Sequence, residues 1–195
     1  MRLFVGLPLD EEAKRGVAKV VKKLKRGHWP VRWEEAEKWH VTVAFSAKQN
    51  LVEPIIEAVR RGVVGIKPFV VGFKGLGSWP DLFLPRGIWM CLKGDLKSMA
   101  RLYKQVRAEL EKSLLPEADR QDKPFRPHVT IARVEGQARR KQRLELGKVI
   151  NKQREMEIKH QWLVDRVRIY ESQLKPEGSV YRVVKEVKLS NVINY

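Results

Sequence analysis

Apolar and polar residues alternate along the chain in two rhythms, one of strands and one of helices. Residues 2–9, "RLFVGLPL", form a nearly continuous apolar run of strand length. From Asp10 the apolar positions become Ala13, Val17, Val20, Val21 and Leu24, one face of a helix, and Gly27 supplies a stop. A tryptophan-rich connection leads to a strand, "HVTVAFS" (40–46), and then to "LVEPIIEAVRRG" (51–62), a helix that tolerates Pro54 in its first turn, where the missing N–H would have no partner. "PFVVGFKGLGSW" (68–79) and "GIWMCLKG" (87–94) read as strands, and Met99, Tyr103, Val106 and Leu110 mark a third helix. "PHVTIARV" (127–134) is a strand and residues 137–153 a basic helix. "WLVDRVRIYESQL" (162–174) and "YRVVKEVKLS" (181–190) close the chain as a strand pair around the turn "KPEGS" (175–179).

The order strand, helix, strand, helix occurs twice, and each half carries one His-Val-Thr strand. The histidines of these strands, His40 and His128, lie 88 positions apart, close to half the chain. Two pseudo-symmetric lobes of α+β class within a single domain spanning 1–195 follow from that repeat. Strict alternation puts His40, Thr42 and Ala44 on one face of their strand and Val41, Val43 and Phe45 on the other. His128, Thr130 and Ala132 mirror this arrangement. Each lobe can then present a histidine and a hydroxyl on a sheet surface, and two such surfaces facing each other make a cleft.

Composition narrows the partners. With 195 residues the chain can bury a core without a metal or disulfide staple. The single cysteine, Cys91, has no partner within the chain, so a disulfide scaffold is excluded and a reducing cytoplasm fits best. No segment approaches the roughly 20 apolar residues of a bilayer span, so no membrane partner is expected. Lys and Arg number 40 against 23 Asp and Glu, a formal charge of +17, and the excess clusters. "KRGVAKVVKKLKR" (14–26) holds seven basic residues and no acid, and "RRKQRLELGKVINKQR" (139–154) holds seven against one. Such segments are also what solvated helix faces look like, but the global excess attracts polyanions, and nucleic acid is the foremost of these.

Two imidazoles in one cleft supply a general acid and a general base near neutral pH, because an unperturbed histidine titrates near pKa 6.5. A threonine two residues along shares the histidine's face and can donate to a bound oxyanion. This set suits in-line displacement at a phosphodiester and calls for no metal or other cofactor. No Cys or His pair stands at zinc-ligand spacing. His28 and His160 lack any comparable setting and read as surface residues. Arg133 follows the second motif where the first has Phe45, and with Arg126 it is a candidate for phosphate contact. Strict alternation points Arg133 away from the histidine face, so its participation requires a bulge or a strand end. Trp29, Trp33 and Trp39 crowd the approach to His40, where an indole could stack a terminal base or pack the core.

The paired His-x-Thr strings, with "RLFVGLPL", "FRPHVTIAR" and "IYESQLKPEGSVY", resemble the RNA 2′,3′-cyclic phosphodiesterases, also called 2′-5′ RNA ligases, of the 2H phosphoesterase superfamily. The resemblance covers nearly the whole chain. It implies two antiparallel sheets with helices on their outer faces, a cleft between the lobes, and hydrolysis of an RNA 2′,3′-cyclic phosphate end, as on tRNA fragments, to a 2′-phosphate. It also implies that His40 with Thr42 and His128 with Thr130 fill the two catalytic motifs, His40 as acid and His128 as base, in a monomeric enzyme. After "HVTVAF" the chain continues "SAKQN", without the glycine that usually follows in the family. Ligation to a 5′-hydroxyl, trimming of an RNA 3′ end and RNA-end binding without turnover remain as alternatives.

Overall fold

A computed structural model describes residues 2–46, 52–114, 125–175 and 178–189. The "SAKQN" segment falls largely outside the described residues, as does the centre of the "KPEGS" turn. In chain order the elements are β1 (Arg2–Pro8), α1 (Glu11–Lys25), β2 (Val31–Trp33), β3 (His40–Ser46), α2 (Glu53–Gly62), β4 (Phe69–Trp79), β5 (Gly87–Gly94), α3 (Leu96–Leu114), β6 (His128–Val134), α4 (Arg140–Lys152), β7 (Glu157–Val164), β8 (Arg166–Lys175) and β9 (Gly178–Lys188). A single 3₁₀ turn, Ala36–Lys38, joins β2 to β3.

The helices form where the apolar spacing places them. Asp10 caps α1 by accepting the Ala13 N–H at 2.7 Å, and Ala13, Val17, Val20, Val21 and Leu24 are its buried residues. Pro54 lies in the first turn of α2. Asp95 accepts the Ser98 N–H at the start of α3, whose Met99, Leu102, Val106 and Leu110 are buried. Gly62 lets α2 and α3 approach closely, since a Cβ there would lie 2.7 Å from the Val106 Cα.

All strand pairs are antiparallel, in the order β7-β4-β5-β6-β3-β1-β8-β9, with β2 added to the edge of β6. The two motif strands β3 and β6 therefore meet at the centre. Only one residue pair joins them, Val41 with Val129. That seam divides the sheet into two four-stranded halves, β3-β1-β8-β9 and β6-β5-β4-β7, and the cleft opens beside it. The pseudo-symmetric α+β architecture with helices outside and the motif strands flanking the cleft is present as expected.

The halves of the sequence are nonetheless not the halves of the fold. Both termini supply the first half-sheet, and the middle of the chain supplies the second. α2 and α3 pack together and cover the first half through β3 and β9, whereas α1 lies over β7 and α4 over β4. α1 thus follows β1 in sequence but covers the opposite half. The expected strand 162–174 is likewise split at Asp165: β7 pairs with β4 in one half and β8 with β1 in the other. Arg166 holds this crossing, donating to Asp165 and, at 2.7 Å, to Glu186 of β9.

Candidate active site

The single seam pair dictates the arrangement of the motif residues. Val41 and Val129 face each other with their side chains fully buried in the core. Their neighbours on either side, His40 and Thr42 on β3 and His128 and Thr130 on β6, must then point the opposite way, into the cleft. In an antiparallel register centred on this pair, His40 stands across from Thr130 and Thr42 across from His128. The two histidines lie on a diagonal, related by a local two-fold axis between the valines. In a regular ladder such a diagonal spans about 7–8 Å between strands.

Both motif strands carry a bulge just beyond this point. β1 pairs Val5 with Ala44 and Gly6 with Thr42, leaving Val43 as the extra residue on β3. β5 pairs Ile88 with Ala132 and Trp89 with Thr130, leaving Ile131 extra on β6. Two consecutive side chains are buried at each bulge, Val43 with Ala44 and Ile131 with Ala132. The alternation is shifted by one, which corrects the expected faces: Ala44 and Ala132 belong to the core, and Phe45 and Arg133 come round to the cleft. Arg133 has the bulge its participation requires.

The cleft contains a cavity of about 500 Å³ whose lining includes His40, Thr42, Phe45, Thr130, Arg133 and Tyr181; His128 is not part of that lining and stands beside it against Trp89. This is a size suited to a small ligand or a nucleotide end. Arg2, Lys38 and Arg133 bring cationic side chains to it, and Glu34 brings a carboxylate. The Arg133 Nε donates to Glu34 Oε1 at 3.1 Å. The Glu34 backbone N–H donates to the carbonyl of the bulge residue Ile131 at 2.9 Å, so the backbone that follows β2 is anchored at the bulge. Arg126 does not bring its exposed side chain to this lining; its contribution is a carbonyl oxygen, described next.

Both imidazoles are oriented in the same way. His40 Nδ1 lies 2.6 Å from the Lys38 carbonyl oxygen and His128 Nδ1 lies 2.6 Å from that of Arg126. A carbonyl only accepts, so each Nδ1 carries a proton and each Nε2 is left as the proton-exchanging atom. His40 Nε2 is 3.1 Å from Thr42 Oγ1 and accepts from that hydroxyl when neutral. Burial pushes the His40 pKa down; the Lys38 carbonyl and the Glu34 carboxylate oppose this, and the charges of His128 and Arg133 reinforce it. Burial also lowers the His128 pKa, against its bond to the Arg126 carbonyl and with Arg133 reinforcing it. The two histidines are therefore close enough for the charge of one to bear on the other.

Their ring neighbours differ. His40 lies among Phe4 (centroid distance 4.7 Å), Tyr181 (5.5 Å, edge-on) and Tyr170 (5.7 Å). Gly6 on β1 makes room for the ring, because a Cβ there would sit 3.0 Å from His40 Cδ2. His128 instead stands against the Trp89 indole at 4.4 Å. None of these aromatic partners was singled out from the sequence. Tyr170 and Tyr181 flank the β8–β9 turn within "IYESQLKPEGSVY", but only the pairing of β8 with β1 brings them to His40. Of the tryptophans near His40 in sequence, Trp39 is buried in the core, Trp33 packs against it, and Trp29 lines a separate groove. His160 is half-buried and bonds to Asp10 at 2.9 Å.

Cys91 lies beside Trp89, its thiol pKa pushed up by burial, which leaves it a poor nucleophile. Among the described residues, no three His, Cys, Asp or Glu side chains come together as metal ligands would, and no helix is long and apolar enough to cross a membrane.

Comparison with known proteins identifies the family and the fold. The family model "LigT like Phosphoesterase" matches residues 7–89 and 96–181, one motif strand in each segment. A Thermus thermophilus protein named RNA 2′,3′-cyclic phosphodiesterase is 30% identical over 196 residues, covering 97% of this chain and 90% of its own. One of the same name from Thermotoga maritima is 28% identical over 188 residues, covering 95% and 94%. A crystal structure from Thermus thermophilus superposes with a TM-score of 0.81 at 25% identity, covering 97% of this chain and 98% of that one.

Proposed function

The chain belongs to the LigT-like phosphoesterase family, and from that premise we propose that it is an RNA 2′,3′-cyclic phosphodiesterase, yielding a 2′-phosphomonoester by acid–base catalysis without a metal ion or other cofactor. The observation that carries the reading is the diagonal of two imidazoles across the Val41–Val129 seam, each with Nδ1 bound to a carbonyl and Nε2 left for proton exchange. In-line displacement needs a base and an acid on opposite sides of phosphorus, and a local two-fold axis through the phosphate site meets that need.

In the reaction, His128 Nε2 takes a proton from water as the water oxygen attacks phosphorus. The bond from phosphorus to O3′ breaks, and His40 Nε2 delivers its proton to O3′. The product keeps the phosphate on O2′ and frees the 3′-hydroxyl. We assign His40 as the acid because the Glu34 carboxylate, at the wall of the cavity, offsets part of the lowering that burial imposes on its pKa. The hydroxyls of Thr42 and Thr130 and the guanidinium of Arg133 donate to the non-bridging oxygens, where negative charge gathers. Arg126 serves through its carbonyl, which fixes the His128 tautomer, and its exposed side chain is left to an outlying phosphate. The substrate is RNA with a cyclic phosphate end, such as a tRNA fragment, acted on by a monomer in the cytoplasm. Ligation is the same chemistry with a 5′-hydroxyl replacing water at His128.

The test is an assay in EDTA of a short RNA with a 2′,3′-cyclic end, comparing wild type with His40→Ala and His128→Ala. A 2′-phosphate product lost in both variants is the expected result. A 3′-phosphate product, or turnover that survives either substitution, overturns the assignment. Addition of an RNA with a 5′-hydroxyl to the same reaction separates hydrolysis from joining.

A further inference from the structure

The two most basic segments of the chain, 14–26 and 139–154, are far apart in sequence, yet α1 and α4 form the sides of one groove, and of their cations Lys19 and Lys23 line it. This groove, about 420 Å³, lies on the helical face of the second half-sheet and is separate from the cleft. Leu24, Val149 and Met156 give it an apolar floor, Trp29 forms one wall, and Lys19 and Lys23 stand at the rim.

Three observations distinguish this from an ordinary solvated helix face. First, the rim lysines carry net charge outward. Lys14 and Arg15 of the same helix are paired with Glu11 and Glu12. Lys19 and Lys23 form no salt bridge among the described residues. Second, the indole is set in place by a special turn. His28 adopts a left-handed φ of 50°, uncommon for a residue with a side chain, and folds the chain back so that Trp29 packs on Gly27, where any Cβ would collide with the ring. Third, the segment that leaves the groove enters the active site. Trp29 lines the groove and Glu34 lines the cleft, with β2 between them, a run of five residues that spans at most about 18 Å.

An apolar trough with a stacking ring and cations at its edge is how sequence-neutral proteins hold single-stranded nucleic acid. We propose that the α1–α4 groove is a second RNA site, which takes an unpaired stretch of the substrate upstream of the cyclic end, with a base on Trp29 and phosphates on Lys19 and Lys23. This rests on the RNA reading of the cleft. The cleft then selects the chemical end, and the groove selects strands long enough to reach it, about five nucleotides or more for a span of about 18 Å at the roughly 3.4 Å spacing of strand phosphates.

Two RNAs with the same cyclic end test this, a trinucleotide and an unstructured strand of about 15 nucleotides. Wild type is expected to favour the long strand through KM. Lys19→Glu with Lys23→Glu should abolish that preference and leave kcat on the trinucleotide unchanged. The slope of log(kcat/KM) against log[salt] for the long strand should lose about 1.4, the share of two phosphate contacts on a single strand. Trp29→Phe should remove part of the fluorescence quench on binding a long RNA that ends in a 3′-hydroxyl. An undiminished preference and salt slope in the double lysine variant would overturn the proposal, as would a quench that Trp29→Phe leaves intact. Because the 3′-hydroxyl strand is read by binding alone, failure of the cleft to turn over cyclic ends would not hide the result at the groove. Saturable binding of an acidic peptide with no binding of RNA would assign the groove to a protein partner instead.

Discussion

Gly77→Ala is a test of how His128, the base of the proposed mechanism, is positioned. Gly77 lies opposite Trp89 on the neighbouring strand, and the indole rests across it. A Cβ at this position would meet Trp89 Cδ1 at 2.9 Å and Cys91 Sγ at 3.0 Å, with the indole Nε1 closer still. Ordinary contact between such atoms is about 3.5–4.0 Å, so the indole must retreat by about 1 Å. Its other side is the His128 ring, at a centroid distance of 4.4 Å. Overpacking of this kind costs about 1–3 kcal/mol, or about 2–7 °C in Tm for a chain of this length. A displacement of about 1 Å in a reacting group costs up to about 100-fold. kcat for the cyclic substrate should therefore fall about 10- to 100-fold, or about 1.4–2.7 kcal/mol of barrier, with KM changed less. Gly136→Ala is the control, since nothing lies within 4 Å of a Cβ there. Adding Trp89→Phe to Gly77→Ala should restore part of the rate, because the smaller ring clears the new methyl group. A Gly77→Ala enzyme with Tm and kcat within error of wild type would refute the idea that the indole holds His128 in place.

Other consequences follow from the electrostatics of the cleft. Burial holds both His40 and His128 below their usual pKa, so between the folded value and about 6.5 the unfolded chain binds more protons. Stability is then whole above about pH 6.5 and declines as the pH falls through that window. The decline in Tm between pH 8 and pH 5.5 should be smaller in a His40→Gln, His128→Gln double variant, and equal declines would sink the assignment. Glu34→Gln removes the carboxylate that favours protonated His40, so the alkaline limb of the kcat profile should move to lower pH. Because Arg133 is 59% exposed on its side chain, the lost ion pair should cost no more than about 1 kcal/mol in a denaturation experiment. Arg133→Lys keeps the charge but loses the planar fork, and kcat/KM measured on the cyclic end should drop about tenfold or more.

What could be read from the sequence was local. Helix faces such as Ala13, Val17, Val20, Val21 and Leu24 are set by one element's own periodicity, and the motif strands declared themselves by repetition. The bulges did not, because a bulge is a two-against-one count between neighbouring strands, and alternation within one strand carries no record of its partner. A trace of it was present nonetheless: a charged residue, Arg133, fell on the face that should pack against helices. Burial of that charge would cost more than any strand pairing returns, so a shift in alternation was the cheaper outcome. The division of labour between halves was hidden for a related reason. "WLVDRVRIYESQL" has no Gly or Pro to mark a change of sheet, and the crossing at Asp165 is maintained by ion pairs with Arg166 that only the fold brings within reach of Glu186.

In the proposed mechanism the local two-fold axis is the reason the motif is needed twice and also the reason repetition alone would not suffice. A symmetric pair of imidazoles supplies an acid and a base on opposite sides of a phosphate, but it leaves the choice between them undecided. The asymmetry enters one residue later and one strand away. At equivalent positions past the bulges stand Phe45 and Arg133, and beside the two rings stand a Phe–Tyr–Tyr cluster and a tryptophan. In the proposed mechanism Arg133 binds the anion and is held by Glu34, and the same carboxylate offsets the lowering of the His40 pKa, so a substitution at Glu34 should perturb both together. On that mechanism the fold repeats the reacting groups and varies their surroundings, and the surroundings would give the reaction its direction.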